Sequence, residues 1–321
     1  YSDKLENLQS LCLGLIVNNY SLGAELVNIG KLTKLKKLAL AAKIFSVKSW
    51  KPFLDNILLP ESLNKLKLHF SSMLPMELSN DDMELNFFQS LASIKDLVYF
   101  GLEFKFEIPD YDTKIRDMIV LFLKQVNAPN LEKLKISNKS SKVINDSEIL
   151  PLALKFQHLK FLDMMIAIKP EPIQVDQKCP SKLQQITVSD KFLVQLNKIF
   201  TFEKLENIVV NFDHNAQLQE HLEVFKILRR MSNLRRITLT SDFAGGPDTK
   251  PLFKELFCIP TSLKNLRSLA TELTKLKIAT EFHMKEFKAY LKYMDYCPAL
   301  EKVFLRFEQF GILIKGCRVR G

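Results

Sequence analysis

Histidine and cysteine are among the residue types that most often supply nucleophiles, proton carriers and metal ligands in proteins. The five histidines are His69, His158, His214, His221 and His283. None forms the His-Glu-x-x-His pattern of a zinc site, and no two cysteines form Cys-x-x-Cys, so the sequence predicts no metal site and no cofactor. His214 and His221 are seven residues apart and could share one face of a helix. We interpret them as surface residues near a helix start.

Nucleophilic and phosphate-binding motifs are also missing from the sequence. Cys179 and Cys297 each precede a proline, but a cysteine nucleophile needs a positioned histidine, which the sequence does not place. The chain contains no Gly-x-Gly-x-x-Gly, no Gly-x-x-x-x-Gly-Lys and no Gly-x-Ser-x-Gly, so nucleotide binding and serine hydrolysis have no sequence support. The chain is therefore predicted not to be an enzyme.

Composition places the chain among ordinary globular proteins. Of its 321 residues, 47% are apolar and 26% are charged, and the net charge is +10. This apolar content excludes disorder as the main state, and five cysteines are too few for a disulfide scaffold. The longest uncharged apolar run, Leu11 to Val17, is far shorter than the ~18 residues of a membrane span. We expect no membrane span and an intracellular, cytoplasmic protein, with an organelle or ciliary complex left open.

An internal repeat organises nearly the whole sequence. The pattern Leu-x-x-Leu-x-Leu, with apolar substitutions, recurs at irregular intervals. Its first positions are Leu35, Leu63, Leu97, Leu131, Leu159, Leu183, Leu205, Leu234, Leu263 and Leu300. A copy from Leu273 competes with the one from Leu263, and a weaker copy begins at Leu8.

Between these copies the apolar period changes from two to about 3.6, which predicts helices. The segments with this period are Asp112 to Val126, Gln217 to Met231 and Met284 to Tyr296. In the first segment the predicted buried face consists of Ile115, Met118, Ile119 and Phe122. Each repeat is therefore predicted to be a short strand followed by a helix.

The motif and its junctions resemble the leucine-rich repeat family, in the subtype found in ribonuclease-inhibitor-like and F-box proteins. That subtype often carries Cys-Pro-x-Leu where a helix meets the next strand. Cys297-Pro298-Ala299-Leu300 fits fully, Cys179-Pro180 fits with one insertion, and Ala128-Pro129 fits with alanine for cysteine. Pro60 and Pro260 lie three residues before Leu63 and Leu263. The resemblance implies an α/β solenoid, a horseshoe with a parallel concave sheet and convex helices.

The same resemblance suggests one domain covering residues 1–321, with about ten repeats. Residues 1–34 would be a cap or a divergent repeat, residues 35–307 the repeats, and residues 308–321 a cap or tail. The segments 169–180 and 244–251 are interpreted as insertions within repeats. The sequence departs from the family at the ninth repeat position, where Asn or Cys is usual and this chain has neither.

Charge is concentrated at the third, fifth and seventh motif positions, which face away from the core on the concave surface. The candidate partner-binding residues at these positions are Lys37, Lys65, Lys67, Lys133, Lys135, Phe161, Met165, Arg236, Lys275, Lys277, Lys302 and Arg306. The two lysines at 275 and 277 assume the Leu273 register. A basic surface of this kind attracts acidic groups, and Phe161 and Met165 could accept an apolar anchor. Lysine for solubility, or a lysine-rich compositional bias, remains an open alternative.

These features predict a non-enzymatic protein-interaction module or scaffold that binds an acidic or mixed protein partner. Nucleic acid is disfavoured, because lysine rather than arginine dominates and aromatic residues are few on this surface. Homo-oligomers are not indicated. Two alternatives stay open: a substrate receptor of an F-box-type ubiquitin ligase, and a structural subunit of a large assembly.

Overall fold

The structure is a computed structural model, and its described residues cover most of the chain. They are 5–17, 27–45, 50–72, 84–106, 112–138, 144–146, 148–166, 168–170, 182–199, 202, 204–212, 218–241, 250–273, 299–307 and 311–315. The chain divides into two compact units, Tyr1–Leu183 and Gln184–Gly321. Each unit is described by itself, and the single domain expected from the sequence stays a prediction.

Unit 1 (Tyr1–Leu183) is an α/β structure built on a parallel sheet. Its strands are β1 (Ser10–Val17), β2 (Lys37–Ile44), β3 (Lys65–Ser72), β4 (Tyr99–Phe106), β5 (Lys133–Asn138), β6 (Ile144–Asp146), β7 (Phe161–Met165) and β8 (Ile168–Pro170). The order β1-β2-β3-β4-β5-β7 forms the main sheet, and β6 pairs with β8. The helices are α1 (Trp50–Asp55), α2 (Asn86–Ser93), α3 (Asp112–Gln125) and α4 (Ile149–Leu154), preceded by a short 3-10 helix, Val27–Lys31.

Unit 2 (Gln184–Gly321) repeats the same construction. Its strands are β9 (Gln185–Ser189), β10 (Asn207–Phe212), β11 (Arg236–Ser241), β12 (Ser268–Leu273), β13 (Lys302–Phe307) and β14 (Gly311–Lys315). Strands β9 to β13 pair in parallel, and β14 turns back antiparallel to β13. The helices are α5 (Asp190–Ile199), α6 (Leu218–Arg230) and α7 (Lys250–Ser262).

The leucine motif fixes where the strands begin. The strand starts at the third motif position, as in Leu35 and Lys37 or Leu300 and Lys302, for every predicted motif except the contested one. The weak copy at Leu8 follows the same rule, because β1 starts at Ser10. Motif leucines are buried because successive strand residues point to opposite faces of a sheet, and one face packs on the helices. Leu38 and Leu40 in β2, for example, are each 1% exposed.

A recurring pair of backbone hydrogen bonds joins each repeat to the one before it. The carbonyl oxygen at the second motif position accepts from two consecutive backbone N–H groups of the next repeat. Lys36, for example, accepts from Asn64 and Lys65 at 2.9 and 3.0 Å. The acceptors are Gln9, Lys36, Asn64, Val98 and Glu132 in unit 1, and Gln184, Glu206, Arg235 and Arg267 in unit 2. The same backbone hydrogen-bond pattern therefore joins successive repeats within each unit.

Aromatic rings form the centre of the unit-1 core. Phe122 of α3 lies 5.1 Å from Phe88 and 5.8 Å from both Phe70 and Phe87, measured between ring centroids. Trp50 is fully buried and meets Phe70 edge to face at 5.3 Å. Rings in such edge-to-face geometry add about 0.5–1.5 kcal/mol per pair beyond the area they bury. One aromatic cluster therefore connects the helices α1, α2 and α3 to the sheet.

The sequence prediction for the contested repeat is wrong in both registers. Strand β12 starts at Ser268, between β11 and β13, so this motif begins at Leu266 and not at Leu263 or Leu273. The sixth motif position is Thr271, which is fully buried. A threonine where the pattern requires a large apolar residue concealed this copy from the sequence search.

Helix positions agree with the sequence where the structure describes them. Helix α3 covers Asp112–Gln125 and α6 covers Leu218–Arg230, each within two residues of prediction. The predicted apolar face of α3, from Ile115 to Phe122, is buried. The helix predicted for 284–296 and the Cys-Pro junctions at 179 and 297 lie outside the described residues.

Two local features differ from the sequence analysis. Pro260, which lies three residues before a predicted motif leucine, is inside α7, and the helix continues to Ser262. Because proline has no backbone N–H, the last part of α7 lacks one helical hydrogen bond. The insertion predicted from residue 169 starts later, because Lys169 and Pro170 belong to β8.

Candidate protein-binding surface

Three rows of side chains cross the unit-1 sheet on the face opposite the helices. Their positions follow from the strand register, which aligns the third, fifth and seventh motif positions of successive repeats. The rows are Lys37-Lys65-Tyr99-Lys133-Phe161, Ala39-Lys67-Gly101-Lys135-Asp163 and Ala41-His69-Glu103-Ser137-Met165. We call these fifteen positions the lysine face. Every unit-1 residue predicted from the sequence to bind a partner lies on it.

Two of the lysines lie over aromatic rings of the neighbouring strand. The Lys65 Nζ atom is 4.9 Å from the centroid of the Tyr99 ring, and the Lys133 Nζ atom is 4.4 Å from that of Phe161. An ammonium group at this distance is attracted to the ring by about 0.5–1 kcal/mol at an exposed site. Lys65 and Lys133 are exposed, so these contacts orient the charges without removing them from solvent.

Other charges on the lysine face are already paired. The Lys135 ammonium is 2.9 Å from the Asp163 carboxylate, and His69 Nδ1 is 3.5 Å from Glu103 Oε2. The hydrogen bond that Lys135 donates to Asp163 raises the pKa of Lys135 above its ordinary value, although partial burial opposes the shift. Lys135 therefore stays charged, but much of its field is cancelled by its partner.

Tyr99 lies flat across a glycine in the middle row. A Cβ atom on Gly101 would lie 2.9 Å from the Tyr99 hydroxyl and 3.1 Å from a ring carbon, so the ring occupies the space that a side chain at 101 would take. Burial raises the pKa of the Tyr99 phenol; Lys135 opposes the shift, and Asp163 and Glu103 reinforce it. The phenol is therefore neutral and presents an apolar ring between the lysines.

The remaining lysines are the most available cations of the face. Lys37 and Lys67 are exposed and, within the part of the chain that the structure describes, neither has an ion-pair or ring partner. Five lysines against Glu103 and Asp163 leave the lysine face with a net charge of +3. Met165 is 37% exposed at the end of the third row.

The corresponding face of unit 2 has fewer charged positions, with Arg236, Glu272, Lys302 and Arg306 against seven on the lysine face. Its fifth and seventh positions are mainly Thr, Val, Asn and Ala, and the Thr240 hydroxyl donates a hydrogen bond to the Asn211 side-chain oxygen. Arg236 and Lys302 are exposed and lie in one row with Ser268 between them. Arg306 occupies the seventh position of β13. Lys275 and Lys277 lie outside the described residues.

Sequence reasoning did not select the partners that shape the lysine face. Tyr99, Gly101, Glu103 and Asp163 occupy the same rows as the selected lysines, but they were not chosen as site residues. The signal that finds them is positional. Residues at the same motif position in successive repeats are cross-strand neighbours about 4.8 Å apart, so aligning the repeats is enough to pair each lysine with its neighbour.

A buried histidine in unit 2 corrects a further prediction. His221 was interpreted as a surface residue, but it is 1% exposed and its Nε2 atom lies 3.2 Å from the equally buried Asp190 carboxylate. The Phe212 ring packs edge to face on it at 4.9 Å. His221 is followed at helical spacing by the buried Val224, Phe225 and Leu228, which is the signal for its burial. Solvent access to this pair is too small for a substrate. His214 lies outside the described residues.

A cleft of about 650 Å³ in unit 1 lies where α3 and α4 end, and its ionisable lining residues are Lys124, Lys155 and His158. Lys155 donates a hydrogen bond of 2.6 Å to the Leu123 carbonyl oxygen. Burial lowers the pKa of Lys155. Helices end with unsatisfied carbonyl groups, so this lysine caps α3, and its charge is already committed to the backbone.

Within the described ranges, no group of three or more His, Cys, Asp or Glu side chains is placed to hold a metal ion. None of the helices in these ranges combines the length and the hydropathy that a membrane span requires. The chain matches no protein-family model, and no curated protein matches it.

Proposed function

We propose that this protein is a leucine-rich-repeat solenoid that serves as a non-enzymatic protein-interaction module. Three observations support the proposal. The strands begin at a fixed motif position, and the main-sheet strands pair in parallel except the last. In both units a carbonyl oxygen at the second motif position accepts hydrogen bonds from two backbone N–H groups of the next repeat. A preformed sheet of this kind loses little conformational freedom when it binds, so more of the contact energy appears as affinity.

The proposed binding surface is the lysine face, and its proposed partner is an acidic or mixed protein segment. The observation that carries this proposal is the arrangement of Lys65 and Lys133, which are held over rings yet exposed to solvent. Lys37 and Lys67 add exposed positive charge to the same rows. A partner with carboxylates would be attracted by the summed field, and the Tyr99 and Phe161 rings offer apolar contact between the charges.

The two alternative functions stay predictions. The Cys-Pro junctions that suggest an F-box-associated subtype include positions 179 and 297, which lie outside the described residues. No observation in the described part of the chain favours a ubiquitin-ligase receptor or a structural subunit over a general interaction module.

The test compares two charge-reversed variants of the full chain. In the first, Lys65→Glu and Lys67→Glu change the lysine face by four charge units. The control carries Lys31→Glu and Lys264→Glu, which make the same charge change at exposed lysines outside the sheets. Each protein is immobilised and exposed to a lysate of the source cells at low salt, and bound proteins are quantified by mass spectrometry.

We expect the wild-type chain and the control to capture the same partner, and the face variant to lose at least tenfold of it. Capture by the wild type should fall as salt rises, since exposed charges are screened. Equal capture by the face variant would refute the lysine face as the binding surface. Recovery of a cullin scaffold with its adaptor would identify the ligase alternative, and one large salt-resistant complex would identify the structural-subunit alternative.

A further inference from the structure

Strand β1 ends the unit-1 sheet within the part of the chain that the structure describes. It pairs with β2 along one edge, from Ser10 opposite Lys37 to Val17 opposite Ile44. Among the residues that the structure describes, no strand pairs with its other edge. The carbonyl groups of Gln9 and Val17 accept hydrogen bonds from β2 and the residues beside it. Backbone groups of successive strand residues point to alternate edges, so those of residues 10, 12, 14 and 16 point to the free edge.

The apolar layer under the sheet is incomplete at β1. Three of the four helix-side residues of this strand, Leu11, Leu13 and Leu15, are only half-buried, and the fourth, Val17, is buried. Their neighbours in β2, Leu38 and Leu40, are each 1% exposed. On the opposite side of β1, Ile16 is 60% exposed, and a Cβ on Gly14 would meet no atom within 4 Å. The apolar side chains of β1 are therefore less completely covered than those of β2.

Strand β1 also lacks the features that keep exposed strand edges from pairing. Natural edge strands carry lysine, proline, a bulge or an inward charge. The eight residues of β1, SLCLGLIV, contain no charged residue and no proline, and they pair with β2 without a bulge. Another extended backbone is the group that best satisfies the outward row of N–H and C=O groups.

The charges near this edge indicate which kind of added strand would pair with β1. Strands β1 and β2 together contain Lys37 and Lys43 and no acidic residue. These lysines lie one strand in from the edge, and their side chains can reach across one strand spacing of about 4.8 Å. A second copy of the chain would bring two more lysines to the same place on a molecule of net charge +10. An acidic occupant is therefore favoured over self-association.

We propose that β1 accepts an added strand from a protein partner. The added segment is extended, with apolar side chains at alternate positions that complete the layer beside Leu11, Leu13 and Leu15, and acidic side chains between them on the side of Lys37 and Lys43. Main-chain hydrogen bonds supply affinity, and the alternating side chains supply selectivity, as in other strand-addition complexes. This inference concerns the sheet edge and goes beyond the function proposed for the lysine face.

The experiment joins a test strand to the full chain. Four Glu-Val dipeptides in sequence are fused ahead of Tyr1 through a flexible Gly-Ser linker, which gives an effective concentration in the millimolar range. Amide hydrogen exchange is then measured residue by residue by NMR. We expect exchange at Cys12, Gly14 and Ile16 to slow at least tenfold. Exchange at Leu11, Leu13 and Leu15 should not change, since these amides already face β2.

Matched variants keep the proposal open to refutation. A tether of four Lys-Val dipeptides should give no slowing, and Ile16→Glu should reduce the slowing caused by the Glu-Val tether. The Lys65→Glu and Lys67→Glu variant should keep the slowing, which separates this edge from the lysine face. The proposal is overturned if the Glu-Val tether slows no outward amide, or if both tethers slow them equally. It is also overturned if the untethered chain sediments as a dimer with these amides already protected.

Discussion

Units 1 and 2 have the same type of backbone junction between successive repeats, but their cores differ in composition. In unit 1 the centre is a cluster of Phe and Trp rings around Phe122, and no buried residue among its described side chains is titratable. In unit 2 the described core contains Asp190 and His221 in contact, and Thr271 is buried in β12. The backbone pattern therefore sets where strands lie, while the side chains between strand and helix vary widely.

On the exposed sheet faces, unit 1 is the more highly charged of the two units. The lysine face of unit 1 combines cations, rings and carboxylates, whereas the face of unit 2 is mostly short polar and aliphatic side chains, with Arg236 and Lys302 in one row and Glu272 and Arg306 in another. The unit whose core is centred on aromatic rings thus has more charged side chains on its exposed sheet face. The charge and residue types of the exposed face therefore do not follow from the composition of the core beneath it.

The largest expected effect is in the aromatic core of unit 1. Phe122→Ala should lower the free energy of unfolding by about 4 kcal/mol, because it removes a buried ring that other rings contact on several sides and leaves a cavity. Urea denaturation measures the loss, and hydrogen exchange should rise most in α2, α3 and β4. Phe45→Ala is the control, since Phe45 is 37% exposed and should cost under about 1 kcal/mol. Equal losses of unfolding free energy from the two variants would contradict a special role of the aromatic cluster in stabilising unit 1.

The next effect concerns the polar core of unit 2. Asp190→Ala should cost about 3 kcal/mol in unfolding free energy, because it leaves His221 buried beside a cavity without its carboxylate. The double variant Asp190→Leu with His221→Phe should recover most of this loss, since apolar replacements of a buried pair are often neutral. Urea unfolding of both variants measures the difference. A double variant as unstable as the single one would show that the pair does more than fill space.

A smaller change tests the corrected register at β12. Thr271→Val should raise the unfolding free energy by about 1 kcal/mol, because the buried Thr271 hydroxyl has no hydrogen-bond partner among the described residues. Urea denaturation again measures the change. The control is Thr238→Val in β11, a half-buried residue of the exposed sheet face, where the change should be near zero. Destabilisation by Thr271→Val would contradict the assignment of Leu266 as the first motif position.

The smallest effect belongs to an ion pair on the lysine face. In a double-mutant cycle of Lys135→Met and Asp163→Asn, the coupling should be under about 1 kcal/mol, since both side chains keep solvent contact. The pKa of Lys135 is raised in the folded state. Its contribution is therefore complete below the usual lysine pKa and is lost as pH rises through the folded value. Coupling that grew as the pH was raised through the lysine range would contradict this sign.

Strand positions were largely predictable because the leucine motif states them directly. The first strand residue follows each predicted motif leucine by two, from Leu35 to Leu300, wherever the buried positions are large and apolar. The prediction failed at β12 because Thr271 interrupts the pattern, and two nearby leucines, Leu263 and Leu273, imitated it. A pattern search weighs residue types, whereas the register depends on hydrogen bonds to the neighbouring strands.

The lysine face was predictable in position and less so in character. Lys37, Lys65, Lys67, Lys133 and Lys135 follow from the motif alone. The contacts of Lys65 with Tyr99 and of Lys135 with Asp163 depend on which strands are neighbours, and this requires the repeats to be aligned row by row. The buried pair of Asp190 and His221 was missed because a histidine was judged by its type and not by its helical spacing.

At each repeat junction, one carbonyl oxygen accepts hydrogen bonds from two backbone N–H groups of the next repeat. This contact sets the spacing of the strands, whatever the length of the chain between them. Motif leucines are 22 residues apart from Leu183 to Leu205 and 34 apart from Leu266 to Leu300, yet the strands that follow them begin at the same motif position. Gain or loss of a whole repeat would thus lengthen or shorten each of the three rows by one residue without changing the spacing between strands. Duplication or deletion of repeats can then lengthen or shorten the exposed sheet face, while the segments that connect one strand to the next vary in length.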